Sequence, residues 1–366
     1  MLKPGLVVFV LAIASMVSFA EQNKVQKPML TAQTSGTTQR LISVSPVNSR
    51  IVWASGAGGT YVVTTDGGET WKSAVVPGAE NLQFRDVYAV SDRRAYLMSI
   101  GNNTTDFRIY KTVDGGTSWT IEFTNQTVSA FYDCFGFWTP KRGIAHSDSV
   151  NGVFPEIRTT DGMTWQSIAA NMPPALPGEA SFAASGTCVA TQGERNAWVA
   201  TGGSTIARIL ATRDGGDTWN AYNTPLVSSP SAGAITVAFR DSRNGIAGGG
   251  DLATNDAADM ATSNDGGQTW TLTNKPPVEG SIFCLAYVRG ARRGNDEEDD
   301  PEHEHAVVIT AETAPHFDTG TAAWTPDEGR TWYKLTGVSG YWAVAFANPK
   351  AGWFVGNGGQ ILKISF

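Results

Sequence analysis

Six short motifs place a carboxylate between hydroxyl residues and glycines. The first is TTDGGETW (64–71), and it returns as TVDGGTSW (112–119), TTDGMTW (159–165), TRDGGDTW (212–219), SNDGGQTW (263–270) and TPDEGRTW (325–332). Such oxygens could bind calcium, but a calcium loop needs further oxygen ligands and a distal Glu, which these motifs lack. We therefore predict no metal site here and interpret each Asp as a residue that holds a turn.

The motifs have the composition of a hairpin turn. Gly supplies the positive φ of the turn, the Asp carboxylate accepts backbone N–H bonds from the residues after it, and the Trp packs on the adjoining sheet. A catalytic carboxylate is not normally needed six times in one chain. The aspartates are Asp66, Asp114, Asp161, Asp214, Asp265 and Asp327. The tryptophans are Trp71, Trp119, Trp165, Trp219, Trp270 and Trp332.

A second group of carboxylates lies in or beside apolar strands. Asp86 and Asp133 align at one strand position, and two carboxylates can divide acid and base roles when their surroundings separate their pKa values. The alternative, which we favour, is that each accepts hydrogen bonds from backbone amides. No residue is assigned a catalytic role. The candidate binding residues are Asp86, Asp133, Asp148, Glu179 and Asp251, with His146 beside them.

The elements that position these residues repeat along the chain. The motif aspartates are 48, 47, 53, 51 and 62 residues apart. Before each motif come an apolar strand, such as QFRDVYAV (83–90), and in most units a second one that ends in Gly, such as IVWASG (51–56). Short β-rich runs at regular spacing predict an all-β repeat with four antiparallel strands per unit, the pattern of a propeller blade.

Three strands follow the sixth motif, and the chain then stops without a seventh. They are YWAVAFAN (341–348), GWFVGNGG (352–359) and QILKISF (360–366). A strand from the region 28–38 can supply the missing fourth and remove an exposed sheet edge. We therefore predict a single seven-bladed β-propeller over residues 21–366, closed by an N-terminal strand. Its innermost strands would bring Asp86 and Asp133 near the axis.

The first twenty residues read as a secretory signal peptide. They have a basic start, an apolar core, and small residues at Ser18 and Ala20 before Glu21. No later run approaches the length of a membrane span. We expect an exported monomer in the bacterial periplasm or outside the cell. A net charge of −7 and a pI of about 5.2 argue against nucleic acid as a partner.

Three cysteines cannot form a framework of bridges in a chain of this length. The strand alignment places Cys134 and Cys188 where other blades have aliphatic residues, so we expect small buried side chains, and a disulfide between neighbouring blades stays open. The segment 289–305 enlarges the sixth unit and reads as a solvated acidic insertion. No phosphate loop, dinucleotide fingerprint or nucleophile elbow is present, so no cofactor is predicted.

The repeated T-x-D-G-G-x-T-W motif resembles the Asp-box, or BNR, repeat of sialidases and related propellers. Over nearly the whole mature chain the sequence is similar to the photosystem II stability and assembly factor-like propellers. A sialidase site would need three arginines and a Tyr–Glu pair, but Arg108 and Arg208 occupy ordinary third-strand positions. The resemblance implies a non-catalytic scaffold whose loops and axial face hold a protein partner.

Two other functions are weighed against the scaffold. A glycoside hydrolase would need two carboxyl groups about 5 to 9.5 Å apart in an open cleft. A glycan-binding module would present aromatic residues around a groove, and the candidates are Trp138, Trp324 and Trp342. Aspartates that are each satisfied by backbone amides would favour the scaffold.

Overall fold

The computed structural model describes residues 27–254, 259–288, 303–314 and 317–366. The signal peptide predicted at 1–20 lies outside these residues, as does most of the acidic insertion predicted at 289–305. The described part forms seven four-stranded antiparallel sheets, each built from strands that are neighbours along the chain except at the closure. This confirms the predicted seven-bladed all-β propeller.

The strands are short and follow one another without long helices. Blade 1 comprises β2 (Leu41–Pro46), β3 (Val52–Gly56), β4 (Thr60–Thr64) and β5 (Lys72–Val75). Blade 2 comprises β6 (Gln83–Ala89), β7 (Ala95–Ile100), β8 (Arg108–Thr112) and β9 (Thr120–Thr124). Blade 3 comprises β10 (Tyr132–Thr139), β11 (Arg142–Ser147), β12 (Ile157–Thr159) and β13 (Trp165–Ser167). Blade 4 comprises β14 (Val189–Gln192), β15 (Asn196–Thr201), β16 (Arg208–Thr212) and β17 (Asn220–Asn223).

The remaining blades have the same order, with the innermost strand first. Blade 5 comprises β18 (Ala232–Phe239), β19 (Gly245–Asp251), β20 (Asp259–Ser263) and β21 (Thr271–Leu272). Blade 6 comprises β22 (Ser281–Tyr287), β23 (Val307–Glu312), β24 (Thr321–Thr325) and β25 (Tyr333–Ser339). Blade 7 comprises β26 (Tyr341–Asn348), β27 (Ala351–Gly356), β28 (Gln360–Ser365) and β1 (Met29–Thr34). Single 3₁₀ turns occupy Thr104–Asp106, Ala169–Asn171 and Asn357–Gly359.

The N-terminal strand closes the ring. β1 pairs antiparallel with β28 from Met29 opposite Ser365 to Thr34 opposite Gln360, and it becomes the outer strand of blade 7. The predicted closure is therefore present. Pairing the two ends of the chain in one sheet means that the ring cannot open at this seam without breaking a complete strand ladder.

A bulge recurs at one position of the innermost strands. The register shifts at Ile42, Arg85, Asp133, Ile235, Phe283 and Trp342, each the extra residue of its strand. A bulge re-aims the side chain of its extra residue. Ile42, Ile235, Phe283 and Trp342 accordingly meet in one cluster with Ala184, although their blades are not all neighbours. We call these five residues the axial plug, because only at the axis can such blades touch.

The bulges correct the predicted strand alignment. Asp133 is the bulge residue of β10 and is equivalent to Arg85, whereas Asp86 is one position further along its strand. The residue equivalent to Asp86 in blade 3 is Cys134. The sequence alignment matched the two aspartates by residue type, and the bulge that both strands share shows that they lie one position apart.

The long connection between blades 3 and 4 crosses the axis. The Ala183 carbonyl accepts a hydrogen bond from Arg85 Nη1 of blade 2 at 2.8 Å, and Ser185 Oγ donates to the Phe283 carbonyl of blade 6 at 2.7 Å. The segment 182–187 therefore contacts blades on opposite sides of the ring. Its Ala184 belongs to the axial plug, and Phe182 packs against that cluster.

In all six acidic turns the Asp carboxylate accepts a bond from the hydroxyl two residues before it and from a backbone N–H that follows it. In the second one, Asp114 accepts a bond from the Ser118 hydroxyl at 2.6 Å, from the Ser118 backbone N–H at 2.9 Å and from the Thr112 hydroxyl at 2.9 Å. These bonds lower the pKa of Asp114 to about 2. Both carboxylate oxygens are therefore used in holding the turn.

The sixth turn departs from the pattern at one residue. Glu328 replaces a Gly and retains the left-handed conformation, with φ of 54°. Its carboxylate accepts bonds from Arg240 Nε of blade 5 at 2.8 Å and from the Tyr287 hydroxyl at 2.8 Å. The Arg240 bond joins blades 5 and 6 and the Tyr287 bond lies within blade 6; together they offset the backbone strain of a non-glycine residue at positive φ.

The cysteines occupy one equivalent strand position in three blades. Cys134 and Cys188 form a disulfide across blades 3 and 4, with their Cα atoms 6.0 Å apart. Cys284 is buried as a free thiol, and its sulfur accepts a hydrogen bond from the Val344 N–H of the next blade at 3.3 Å. The sequence left open whether Cys134 and Cys188 are bridged, and the structure shows that they are. Both side chains are buried, as expected.

Candidate functional site

Asp86 is satisfied by backbone amides. Its carboxylate accepts bonds from its neighbour Val87 N–H at 2.8 Å and from Phe135 N–H of the next blade at 3.0 Å, with the Ser43 hydroxyl at 3.2 Å. Burial raises the pKa of Asp86 well above its ordinary value, and these bonds oppose the shift. The side chain ties three innermost strands together, as the favoured interpretation of the sequence expects.

Asp133 pairs with Asp148 instead of Asp86. The two carboxyl groups lie in hydrogen-bond contact, and Asp133 is 1% exposed. Burial, followed by the negative charge of Asp148, raises the pKa of Asp133 well above its ordinary value. The negative charge of Asp148 therefore favours the protonated form of Asp133. Asp148 also accepts a bond from Ser181 N–H at 2.8 Å, which anchors the segment that crosses the axis.

Glu179 and Asp251 are held by local partners. Glu179 is 1% exposed and forms a two-point ion pair with Arg208, while the Thr201 hydroxyl donates to it at 2.7 Å. Asp251 ends β19 and accepts bonds from Ala253 N–H at 2.9 Å and Ser231 Oγ at 2.7 Å. The backbone N–H of Ala253 is the main cause of the lowered pKa of Asp251.

His146, which was predicted to lie at the rim of the propeller, is buried in its interior. Its Nδ1 is 2.7 Å from Glu156 Oε2, and both side chains are fully buried between blades 3 and 4. Burial raises the pKa of Glu156, and the contact with His146 opposes this. Glu156 was missed because a lone Glu after Pro carries no motif. The pair fills the space beside the disulfide and has no path to a ligand.

An open groove lies over blades 3 and 4. Its volume is about 580 Å³, and it is lined by Asp148 and Glu179 together with loop residues such as Ser129, Asn151 and Pro177. The structure therefore brings two of the predicted rim residues to one surface. Both carboxylates already have partners inside the protein, so the groove offers a ligand mainly backbone and small polar groups.

The mouth of the axis carries a different set of residues. The guanidinium carbon of Arg40 lies 4.6 Å from the centroid of the Trp342 ring, and that of Arg85 lies 5.5 Å from it. Trp342 Nε1 donates to the carbonyl of Phe317 at 3.2 Å, which fixes the ring. We call Arg40, Arg85, Trp342 and Phe317 the axial mouth. Of these residues only Trp342 was predicted from the sequence; Arg85 becomes recognisable once the bulge of β6 is aligned with those of the other innermost strands.

Glu312 is the buried acid beside this mouth. It ends β23, is 1% exposed and accepts a bond from Gly320 N–H at 3.1 Å. Burial raises the pKa of Glu312 to about 7, against the smaller opposing effects of that bond and of the Arg40 charge. The residue therefore changes charge near neutral pH at a position close to Arg40.

We expect Glu312→Gln to remove a pH dependence of stability. The folded-state pKa of about 7 lies above the ordinary 4.5, so the folded protein keeps the proton and loses stability as pH rises through this window. The loss should be on the order of 2–3 kcal/mol in the free energy of unfolding. Urea unfolding of the wild type, Glu312→Gln and a control variant, at a pH below 4.5 and at a pH above 7, measures this loss. The exposed Glu194→Gln is the matched control, and an equal pH slope in all three proteins would contradict the expectation.

Metal ligands and membrane spans were sought among the described residues. They contain no cluster of three His, Cys, Asp or Glu side chains arranged to hold a metal ion. In the same part of the chain no helix has the length and apolar character to span a membrane.

The fold and the mouth define the class: a single seven-bladed β-propeller with a closed axis and an aromatic, arginine-bearing mouth. Solved structures share this fold. YCF48 bound to D1 peptide has a TM-score of 0.62 and 17% identity over 92% of this chain and 97% of that chain. YCF48 from Cyanidioschyzon merolae has a TM-score of 0.62 and 16% identity over 92% and 98%.

A glycoside hydrolase structure is also similar. The Niastella koreensis GH74 enzyme has a TM-score of 0.57 and 12% identity, and the match covers 91% of this chain but 53% of the enzyme. No protein-family profile and no curated protein sequence matches the chain. At these identities the likeness to solved structures shows the propeller fold.

Proposed function

We propose that this protein is an exported, non-catalytic scaffold that binds a segment of another protein at its axial mouth. The observation that carries the proposal is the mouth itself, where Arg40 and Arg85 flank Trp342. Arginine is among the residues most enriched at the energetic centres of protein interfaces, and the buried Trp342 ring holds the two guanidinium groups in place. The similarity to YCF48, which has been solved with a D1 peptide, supports a peptide segment as the ligand class.

The carboxylates support binding over catalysis. Asp86 is used by backbone amides, and Asp133 contacts Asp148 in the interior. A glycosidase pair needs a gap wide enough for its sugar and, in an inverting enzyme, for water. Carboxyl groups in mutual contact leave no such gap. Trp324 and Trp342 are each 3% exposed, so neither offers an open ring face to a sugar.

The disulfide supports export. Disulfides persist in oxidising compartments, and the bridge between Cys134 and Cys188 joins two blades. A signal peptide at 1–20 would deliver the chain to such a compartment. The periplasm or the extracellular space therefore remains our proposed location.

Site-specific photocrosslinking in the native host tests the scaffold. A photoreactive residue would replace exposed Asp318, beside Phe317 of the mouth, and in a second protein exposed Glu69 in an acidic turn. We expect the probe at 318, but not at 69, to give one protein adduct that maps to a single short segment. Adducts of equal yield from both positions, or adducts to glycan alone, would refute the proposal.

A further inference from the structure

A basic residue recurs at one turn position in every blade. It stands two residues before the second-strand residue that forms the final pair with the third strand. In five blades its backbone carbonyl accepts an N–H bond from the acidic turn of the same blade, at 2.7 to 3.1 Å. The fold uses the carbonyl, so it does not require a basic side chain. The seven exposed residues are Arg50, Arg93, Lys141, Arg195, Arg243, His305 and Lys350.

Blades 2 and 3 carry a second basic residue directly after the first. Arg94 follows Arg93, and Arg142 follows Lys141, whereas the other blades have uncharged residues at this place. In the described part of the chain none of these four side chains belongs to an ion pair. Positive charge is therefore concentrated at one end of two neighbouring blades.

The acidic turns of the same two blades carry exposed apolar side chains. Val113 is 55% exposed and Met163 is 53% exposed. A single exposed apolar residue is ordinary, but here two adjacent turns depart from the repeat in the same way. The other motifs have Thr65, Thr160, Arg213, Asn264 or Pro326 in place of Val113, and Glu69, Thr117, Asp217, Gln268 or Arg330 in place of Met163.

Hydrogen bonds hold the four turns as one surface. The Gly115 N–H donates to the Arg93 carbonyl at 2.9 Å, which ties the acidic turn of blade 2 to its basic turn. The Tyr96 hydroxyl of blade 2 lies 3.0 Å from the carbonyls of both Pro140 and Gly162, one in each turn of blade 3. We call the basic and apolar side chains on these turns the turn patch. They are Arg93, Arg94, Lys141, Arg142, Val113 and Met163.

The acids at this end do not cancel the basic charge. Asp114 and Asp161 are ionised, because bonds from the Ser118 hydroxyl and from the Thr164 N–H respectively are the main causes that lower the pKa of each to about 2. Their oxygens are used inside the turns. Asp92 is the third acid of the four turns. The acidic insertion belongs to blade 6, three blades away from both.

We propose that the turn patch docks the protein on an anionic phospholipid membrane. Lys and Arg side chains are attracted to the phosphates of such a surface, and apolar side chains beside them enter the boundary between headgroups and acyl chains. A bilayer offers both kinds of contact together, which matches a patch that carries both. Arg85 lies at the start of β6 and Arg93 follows its end, so docking would turn the axial mouth away from the bilayer.

Vesicle flotation is the first test. The chain from residue 21, which contains every described residue, would be mixed with phosphatidylcholine vesicles with and without phosphatidylglycerol. We expect binding only when phosphatidylglycerol is present. Arg93→Gln/Lys141→Gln should weaken it about 25-fold, at about fivefold for each basic residue. Both side chains are exposed, so the variant should fold normally. Equal binding to the two kinds of vesicle would overturn the proposal.

A matched control separates the patch from overall charge. Arg195→Gln/Arg243→Gln removes two basic residues from the equivalent positions of blades 4 and 5, whose acidic turns have no exposed apolar residue at these places. We expect it to change vesicle binding by less than about twofold, because screening limits the attraction to charges close to the membrane. A loss as large as that of Arg93→Gln/Lys141→Gln would mean that net charge alone matters.

The apolar side chains have their own variant and probe. Val113→Thr/Met163→Gln restores residues found in the first and fifth motifs, and it should weaken binding about tenfold. An environment-sensitive dye on Met163→Cys should shift to the blue on phosphatidylglycerol vesicles, whereas the same dye on Gln268→Cys of blade 5 should not. The native cysteines are buried and stay unlabelled. Equal shifts at both positions, or none at 163, would refute the assigned orientation.

Soluble polyglutamate tests the alternative occupant. If it binds as tightly as the vesicles do, and Val113→Thr/Met163→Gln binds it unchanged, the turn patch serves an acidic protein and the membrane proposal fails. The proposal goes beyond the scaffold function and does not depend on it. Photocrosslinking at 318 probes the other end of the ring, so its outcome leaves the vesicle result unaffected.

Discussion

Glu179→Ala should destabilise the protein by about 3–5 kcal/mol, because it leaves Arg208 buried without its counter-ion. Arg208 is 9% exposed, and Glu179 satisfies its Nε and one Nη group. The same carboxylate accepts bonds from the Thr201 hydroxyl and Leu176 N–H, so these donors also lose their acceptor. Equilibrium urea unfolding measures the loss.

Two variants show whether the buried charge is the cause. Asp217→Ala removes the partner of Arg158, but Asp217 is 66% exposed, so the loss should stay below about 1 kcal/mol. Replacing Glu179 and Arg208 together by Met should cost less than Glu179→Ala alone, because no charge is then stranded. A loss below about 1 kcal/mol for Glu179→Ala would show that Arg208 finds other partners.

Removing the disulfide should cost about 4 kcal/mol in the free energy of unfolding. Cys134 and Cys188 are 54 residues apart, and the chain-entropy relation gives about that value for a loop of this length. The bridge joins the innermost strands of two blades, so its loss also frees the ring at one inter-blade contact. We expect Cys134→Ala/Cys188→Ala to unfold at clearly lower urea concentration than the oxidised wild type.

Reductant provides the matched comparison. The wild type in reductant should approach the stability of Cys134→Ala/Cys188→Ala, while the double variant should not respond to reductant. Cys284→Ala, at the equivalent position of blade 6, should lose only about 1 kcal/mol, since it removes two weak hydrogen bonds to Val344 and little volume. A wild type whose stability is unchanged by reductant, with both thiols free by mass analysis, would contradict the bridge.

The repeat pattern was sufficient to predict the architecture. Six motifs at nearly equal spacing require six similar units, and three strands left over at the C-terminus require a fourth from the N-terminus. An unpaired edge strand would expose its backbone N–H and C=O groups, and pairing with an N-terminal strand satisfies them. β1 pairs with β28 as predicted. The role of the motif aspartates could also be predicted, because the hydrogen bonds of a turn such as that of Asp114 join residues within four positions of each other.

Tertiary structure alone decided which side chains meet at the axis. The register of the innermost strands, which residue types alone do not reveal, places Asp133 at the position of Arg85 and not at that of Asp86. The carboxyl group beside Asp133 is that of Asp148, and Cys134 forms a disulfide with Cys188 of the next blade. The axial mouth likewise joins Arg40, Arg85 and Trp342, which are far apart in the chain. Such contacts depend on how the blades close into a ring, whereas the sequence specifies chiefly the contacts within each blade.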